Sequence, residues 1–182
     1  MTEPHIDAVG RPEPRMDAGE TETLLGFLDY QRATLEWKTR DLTDEQLRQR
    51  LHPTTMTLAG MLAHLATVED FWFSMVVAEG PFPDCWPSEV AGDPDWEWTV
   101  AMRWPGERLR GVWVDAVARS RAVVEKQLAQ PDDVALSATH PAWGGRAHVS
   151  LRWVLVHMIE EYARHNGHAD LLRESIDGET GE

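Results

Sequence analysis

The chain has 182 residues, 42% hydrophobic and 26% charged, which suits one globular domain with a substantial core. A net charge of −14 with no basic stripe argues against nucleic acid or an anionic membrane surface as a partner, and the excess acidity serves solubility. No apolar run approaches the roughly 20 residues of a bilayer span, and the single cysteine, Cys85, leaves no intramolecular disulfide framework, so a cytoplasmic protein is expected.

Residues 1–19 hold Pro4, Pro12, Pro14, Gly10 and Gly19 and lack the charged-then-apolar layout of a signal peptide, so they are expected as a flexible arm. The first helix is predicted over Glu20 to Arg40, with a somewhat broken helical period through Leu24, Leu25, Leu28, Gln31 and Leu35. Thr43-Asp44-Glu45-Gln46 reads as a capping box that opens a short helix through Leu51, before Pro53. Thr57 is the expected N-cap of a second long helix ending near Gly80, whose apolar stripe is Leu58, Met61, Leu62, Leu65, Val68, Phe71, Trp72 and Met75.

A loop from Pro81 to Trp104 carries Trp86, Trp96, Trp98 and Trp104, an aromatic load that argues against disorder. These rings either cap one end of the domain or line the mouth of a pocket. Cys85 lies there in Pro83-Asp84-Cys85-Trp86-Pro87, where acidic neighbours disfavour a thiolate, so a packing role is expected for it. Pro105 suits the first turn of a third long helix, carried by Leu109, Val112, Trp113, Ala116, Val117, Val123, Val124 and Leu128 to about Gln130. A second loop, Pro131 to Val149, includes His140 and His148. Ser150 is the expected N-cap of the last helix, with stripe residues Leu151, Val154, Leu155, Met158, Tyr162, Ala169, Leu172 and Ile176, which ends at Gly178. No strand of convincing length is read. The expectation is an all-α protein: one antiparallel four-helix bundle over 20–178, with one extra short helix and a tail at 179–182.

Three residues break these stripes. His165 falls near the centre of the last stripe and Glu161 on its flank, four residues earlier. A carboxylate directed into a helical core is costly unless it is paired, protonated or bound to a metal. His64 interrupts the second long helix on its Met61–Val68–Phe71 side. Residues four apart are neighbours on a helix surface, and a facing helix can add a third ligand. The spacing is thus compatible with a divalent metal on His64, Glu161 and His165, and equally with a hydrogen-bonded core histidine, or with Glu161 paired to His165 or to Arg164 of a second copy. His157 and His168 lie toward the edge of the stripe, as alternative ligands or groups that hydrogen-bond a ligand, and Trp72, Trp98 and Trp153 are candidate pocket walls. His5 and His52 read as solvated.

The segments Leu62-Ala63-His64-Leu65, Val68-Glu69-Asp70-Phe71-Trp72 and Leu151 to Asp170 resemble the DinB-like superfamily of metal-binding four-helix bundles, and especially its actinobacterial mycothiol-dependent branch. In that superfamily a histidine of the second helix and an H-x-x-x-H pair of the last helix bind the metal. His64 and His165 match two of these positions. Glu161 stands where histidine is common, and this departure resembles the mycothiol-dependent maleylpyruvate isomerases, in which glutamate fills that place and which carry a second domain. The resemblance implies a divalent ion (zinc first, nickel or iron otherwise) and a metal-dependent S-transferase. Its partners would be a small thiol such as mycothiol, a small electrophile and, as an assembly, a homodimer. Its alternatives are a hydrolase using metal-bound water and a non-enzymatic binding module. The two-histidine, one-carboxylate set also matches iron oxygenases, though nothing else in the chain does.

Overall fold

The computed structural model describes residues 5–87 and 93–181. Helix α1 spans Glu20–Thr39, α2 Asp44–Leu47 and α3 Leu58–Glu69, the last running directly into a π-helical stretch, Asp70–Val77. Then come α4 (Trp96–Ala101), α5 (Gly106–Gln127), α6 (Asp132–Ser137), strands β1 (Thr139–Ala142) and β2 (Ala147–Ser150), and α7 (Leu151–Asp177).

Local chemistry sets most of these boundaries. The Thr43 hydroxyl accepts from the Gln46 N–H (3.2 Å) while the Gln46 side chain accepts from the Thr43 N–H (2.9 Å), which is the capping box read from the sequence. Thr57 and Ser150 cap α3 and α7 by accepting from the Gly60 and Trp153 amides. Gly178 closes α7 at φ 81°, a left-handed conformation that glycine adopts without a Cβ penalty.

Helix α1 packs on α7, α3 and its π continuation pack on α5, and α3 also meets α4 and α7. Leu28 and Leu35, Met61 and Leu62, Leu109 and Ala116, and Val154 and Met158 meet in one apolar core. A buried polar chain threads that core, with one residue from each long helix. Arg32 of α1 donates twice to Glu69 of α3 (2.8 Å each), Tyr162 of α7 donates to Glu69 (2.8 Å), and Trp113 of α5 donates to the Tyr162 oxygen (2.9 Å). Burial and the Glu69 charge hold the Tyr162 phenol far above its ordinary pKa, so it stays a donor. Such a chain is satisfied in one relative arrangement of four helices, and it fixes how α3 and α7 face each other.

Three expectations are corrected. The expected Pro131–Val149 loop contains α6 and an antiparallel hairpin, pairing Thr139 with Ser150 and Ala142 with Ala147. Each strand has four residues, too short for alternation to register, and β1 is pinned by packing on the π stretch. The Pro81–Trp104 loop is likewise interrupted by α4, which rests on α3; residues 88–92 of that loop lie outside the described set. The short second helix also stops at Leu47 rather than Leu51. Within the expected N-terminal arm, Arg11 is buried, bonded to Asp7 (2.6 Å) and stacked over Tyr30 and Trp37 at 4.5 and 4.8 Å.

Candidate metal centre

Helix α3 buries most of its surface, with Met61, Leu62, Ala63 and Leu65 fully enclosed, yet His64 among them keeps 22% of its side chain exposed. It faces α7, where Glu161 and His165 stand one turn apart at 19% and 12% side-chain exposure. His64 Nε2 lies 3.1 Å from Glu161 Oε1, and His165 Nε2 lies 3.5 Å from the same oxygen. The two imidazole rings are 4.8 Å apart between centroids. One donor atom from each residue therefore falls within 4.8 Å of the other two.

The donor set suits a divalent ion. Tetrahedral ligands at metal distances of about 2.0–2.1 Å stand about 3.3 Å from one another, close to the two separations around Oε1. Two imidazoles and a carboxylate suit zinc, nickel or iron. Three protein donors also leave a position for another ligand. The two histidines differ on their outer sides. His64 Nδ1 meets Glu97 Oε2 of α4 at 2.7 Å, whereas His165 Nδ1 is buried with no hydrogen-bond partner among the described residues.

The electrostatics follow from this packing. Burial opposes a charge on His64, but hydrogen bonds to Glu161 and Glu97 outweigh it and raise its pKa to about 9. Hydrogen bonds from His165 and His64 hold Glu161 well below the usual carboxylate range, against the opposing effect of burial. Without a metal, His64 is thus an imidazolium at neutral pH, sandwiched between the carboxyl groups of Glu161 and Glu97.

The remaining sequence-derived residues fall around this point. His157 stacks on Trp153 (5.0 Å, 18°) and meets Trp72 edge-on (5.1 Å). A nitrogen of His157 and oxygens of Glu160 and Glu161 lie within 4.8 Å of one another, so His157 borders the centre on its α7 side. His168 is exposed, with its ring 6.3 Å from that of His165, outside the convergent group. Trp98 lies parallel to His64 at 6.0 Å, Trp72 is buried, and Trp153 is 44% exposed. His140 is buried in the hairpin, His148 is exposed there, and His5 and His52 are exposed. Burial pushes the Cys85 thiol up, with Asp70 adding to the effect.

Glu97 and Trp143 carry no helical or strand period that would have drawn attention to them. Glu97 sits between Trp96 and Trp98 in a segment read as loop, and nothing in that spacing points to His64. Trp143 stands at the hairpin turn at φ 49° and meets Trp72 edge-on at 5.8 Å. A positive φ for a bulky residue in a hairpin was out of reach without the hairpin itself.

Residues 23–178 match the family described as Mycothiol-S-transferase. No curated protein matches the chain. A crystal structure described as the conserved protein of locus from Enterococcus faecalis is similar over 89% of this chain and 99% of its own, at a TM-score of 0.65 and 17% identity. At that identity the likeness concerns the fold.

Proposed function

Because the chain belongs to the Mycothiol-S-transferase family, within the DinB-like superfamily, we propose that it is a four-helix bundle binding a divalent ion on His64, Glu161 and His165 and transferring a small thiol to an electrophile. The observation that carries this reading is the convergence of those three side chains from two packed helices. When bound, the ion would supply the positive charge that lets a thiol ionise near neutral pH, where free thiols, titrating near 8.5, are mostly protonated.

The protein's own groups would do the rest. Glu161, ionised throughout the physiological range, offsets the charge of the ion and holds the centre between α3 and α7. Trp98, stacked on His64, and Trp72, buried beside His157, exclude water from two sides. Cys85 is held as a thiol, so the reacting sulfur arrives with a co-substrate, for which mycothiol is the natural candidate. With a chlorinated arene, sulfur forms the new bond to carbon, chloride leaves with its electron pair, and the thiol proton passes to solvent.

The test is turnover of 1-chloro-2,4-dinitrobenzene by zinc-loaded protein with mycothiol and a panel of other biological thiols. The expected rate requires metal, depends on which thiol is supplied, and collapses in His64→Ala and His165→Ala. No rate above background with fully metallated protein and every thiol would remove the transferase reading.

A further inference from the structure

We propose that Glu97 is a positioning residue of this centre: it accepts from the Nδ1–H of His64 and thereby leaves Nε2 free to bind a metal. The inference rests on the metal reading above, and it gives the Trp-rich segment a second task beside the shielding of His64 by Trp98.

The geometry separates the roles of the two carboxylates. Glu161 meets His64 at Nε2 and Glu97 meets it at Nδ1, at 3.1 and 2.7 Å. These nitrogens face opposite sides of the ring, so an ion on Nε2 with Glu161 and His165 lies beyond the reach of Glu97. Glu97 therefore acts through the imidazole. A neutral imidazole carries one proton, and the stronger acceptor decides which nitrogen keeps it. Glu97, accepting at 2.7 Å from Nδ1, selects the tautomer with an Nε2 lone pair, and makes that lone pair more basic.

Glu97 is itself held in place by packing. The next residue, Trp98, stacks on the His64 ring at 6.0 Å and 18°, and its indole also covers Gly60, one turn before His64 on α3. A Cβ at position 60 would fall inside the Trp98 ring, and Thr57 Oγ1 crowds the same point at 3.2 Å. Gly60 thus has a steric reason to be glycine inside a helix, where alanine is intrinsically favoured. The missing side chain makes the seat for Trp98. That seat brings α4 close enough for Glu97 to reach His64.

Two substitutions probe the idea from different sides: Glu97→Ala removes the acceptor, and Gly60→Ala displaces Trp98 without touching any polar group of the centre. Zinc affinity is measured by competition with a chromophoric chelator, and the Nδ1–H proton of His64 is followed by NMR in the zinc-loaded protein. Both variants are expected to bind zinc about 10–100-fold more weakly, the usual cost of losing a group that orients a ligand. Both should also lose a downfield, slowly exchanging Nδ1–H signal. Glu97→Gln, whose amide oxygen can still accept, should recover most of the affinity and the signal. Zinc affinity within twofold of the parent in Glu97→Ala, or a retained Nδ1–H signal, overturns the assignment. If the parent binds no zinc, the metal reading itself fails, and the two failures are distinguished.

Discussion

Metal binding at this centre is expected to compete with a proton on His64, and the competition has a size. The imidazole, held between Glu97 and Glu161, keeps its proton up to a pKa of about 9. At pH 7 about one molecule in a hundred carries His64 neutral, so an ion must displace the proton. Its apparent affinity should then be about 100-fold, or about 2.7 kcal/mol, below the plateau reached above pH 9. Between pH 7 and 8.5 the dissociation constant should fall close to tenfold per pH unit, with about one proton released from His64 per ion bound. Competition titrations with zinc across that range give the slope, and calorimetry in buffers of different ionisation enthalpy gives the proton count. The metal-free protein should respond in the opposite sense. The folded pKa of His64 is raised above its ordinary 6.5, so the stability it contributes is complete below about pH 6.5 and is lost as the pH rises through about 9. A zinc affinity that is flat between pH 7 and 8.5, with no proton released, would refute the sandwich geometry on which this reasoning depends.

The other expectations concern the same centre and the frame around it. Glu161→Gln conserves volume and removes the anionic donor. The stabilisation by metal, about 2.7 kcal/mol at 100 times the dissociation constant, should shrink while the chelated protein still melts cooperatively; equal chelator sensitivity of parent and variant in thermal melts would count against Glu161 as a ligand. Glu69→Ala leaves Arg32 buried without its bidentate partner and should cost about 3–5 kcal/mol in urea unfolding. Tyr162→Phe removes one hydrogen bond to that carboxylate and orphans the Trp113 N–H, for a loss of about 1.5–3 kcal/mol by the same assay. Gly178→Ala forces a Cβ into the left-handed closure of α7, and a midpoint lower by the equivalent of about 1 kcal/mol is expected.

What was legible in the sequence is what local chemistry decides. Thr43, Thr57, Ser150 and Gly178 mark helix ends because their side chains, or the lack of one, satisfy terminal backbone groups without help from elsewhere in the chain. The apolar periods of α3, α5 and α7 are likewise local. His64, Glu161 and His165 could be singled out because a titratable group interrupts a stripe that burial would otherwise keep apolar.

Periodicity says which way a residue faces along its own helix and nothing about what faces it. The convergence of His64 on Glu161 depends on the register between α3 and α7, which the chain from Arg32 through Glu69 and Tyr162 to Trp113 sets across four helices. The β hairpin exists because short strands are held by packing on the π stretch, a contact no four-residue pattern encodes. Glu97 reaches His64 for a similarly non-local reason. Gly60 leaves a vacancy, Trp98 fills it, and the carboxylate one residue earlier is carried 33 positions back along the chain to an imidazole nitrogen.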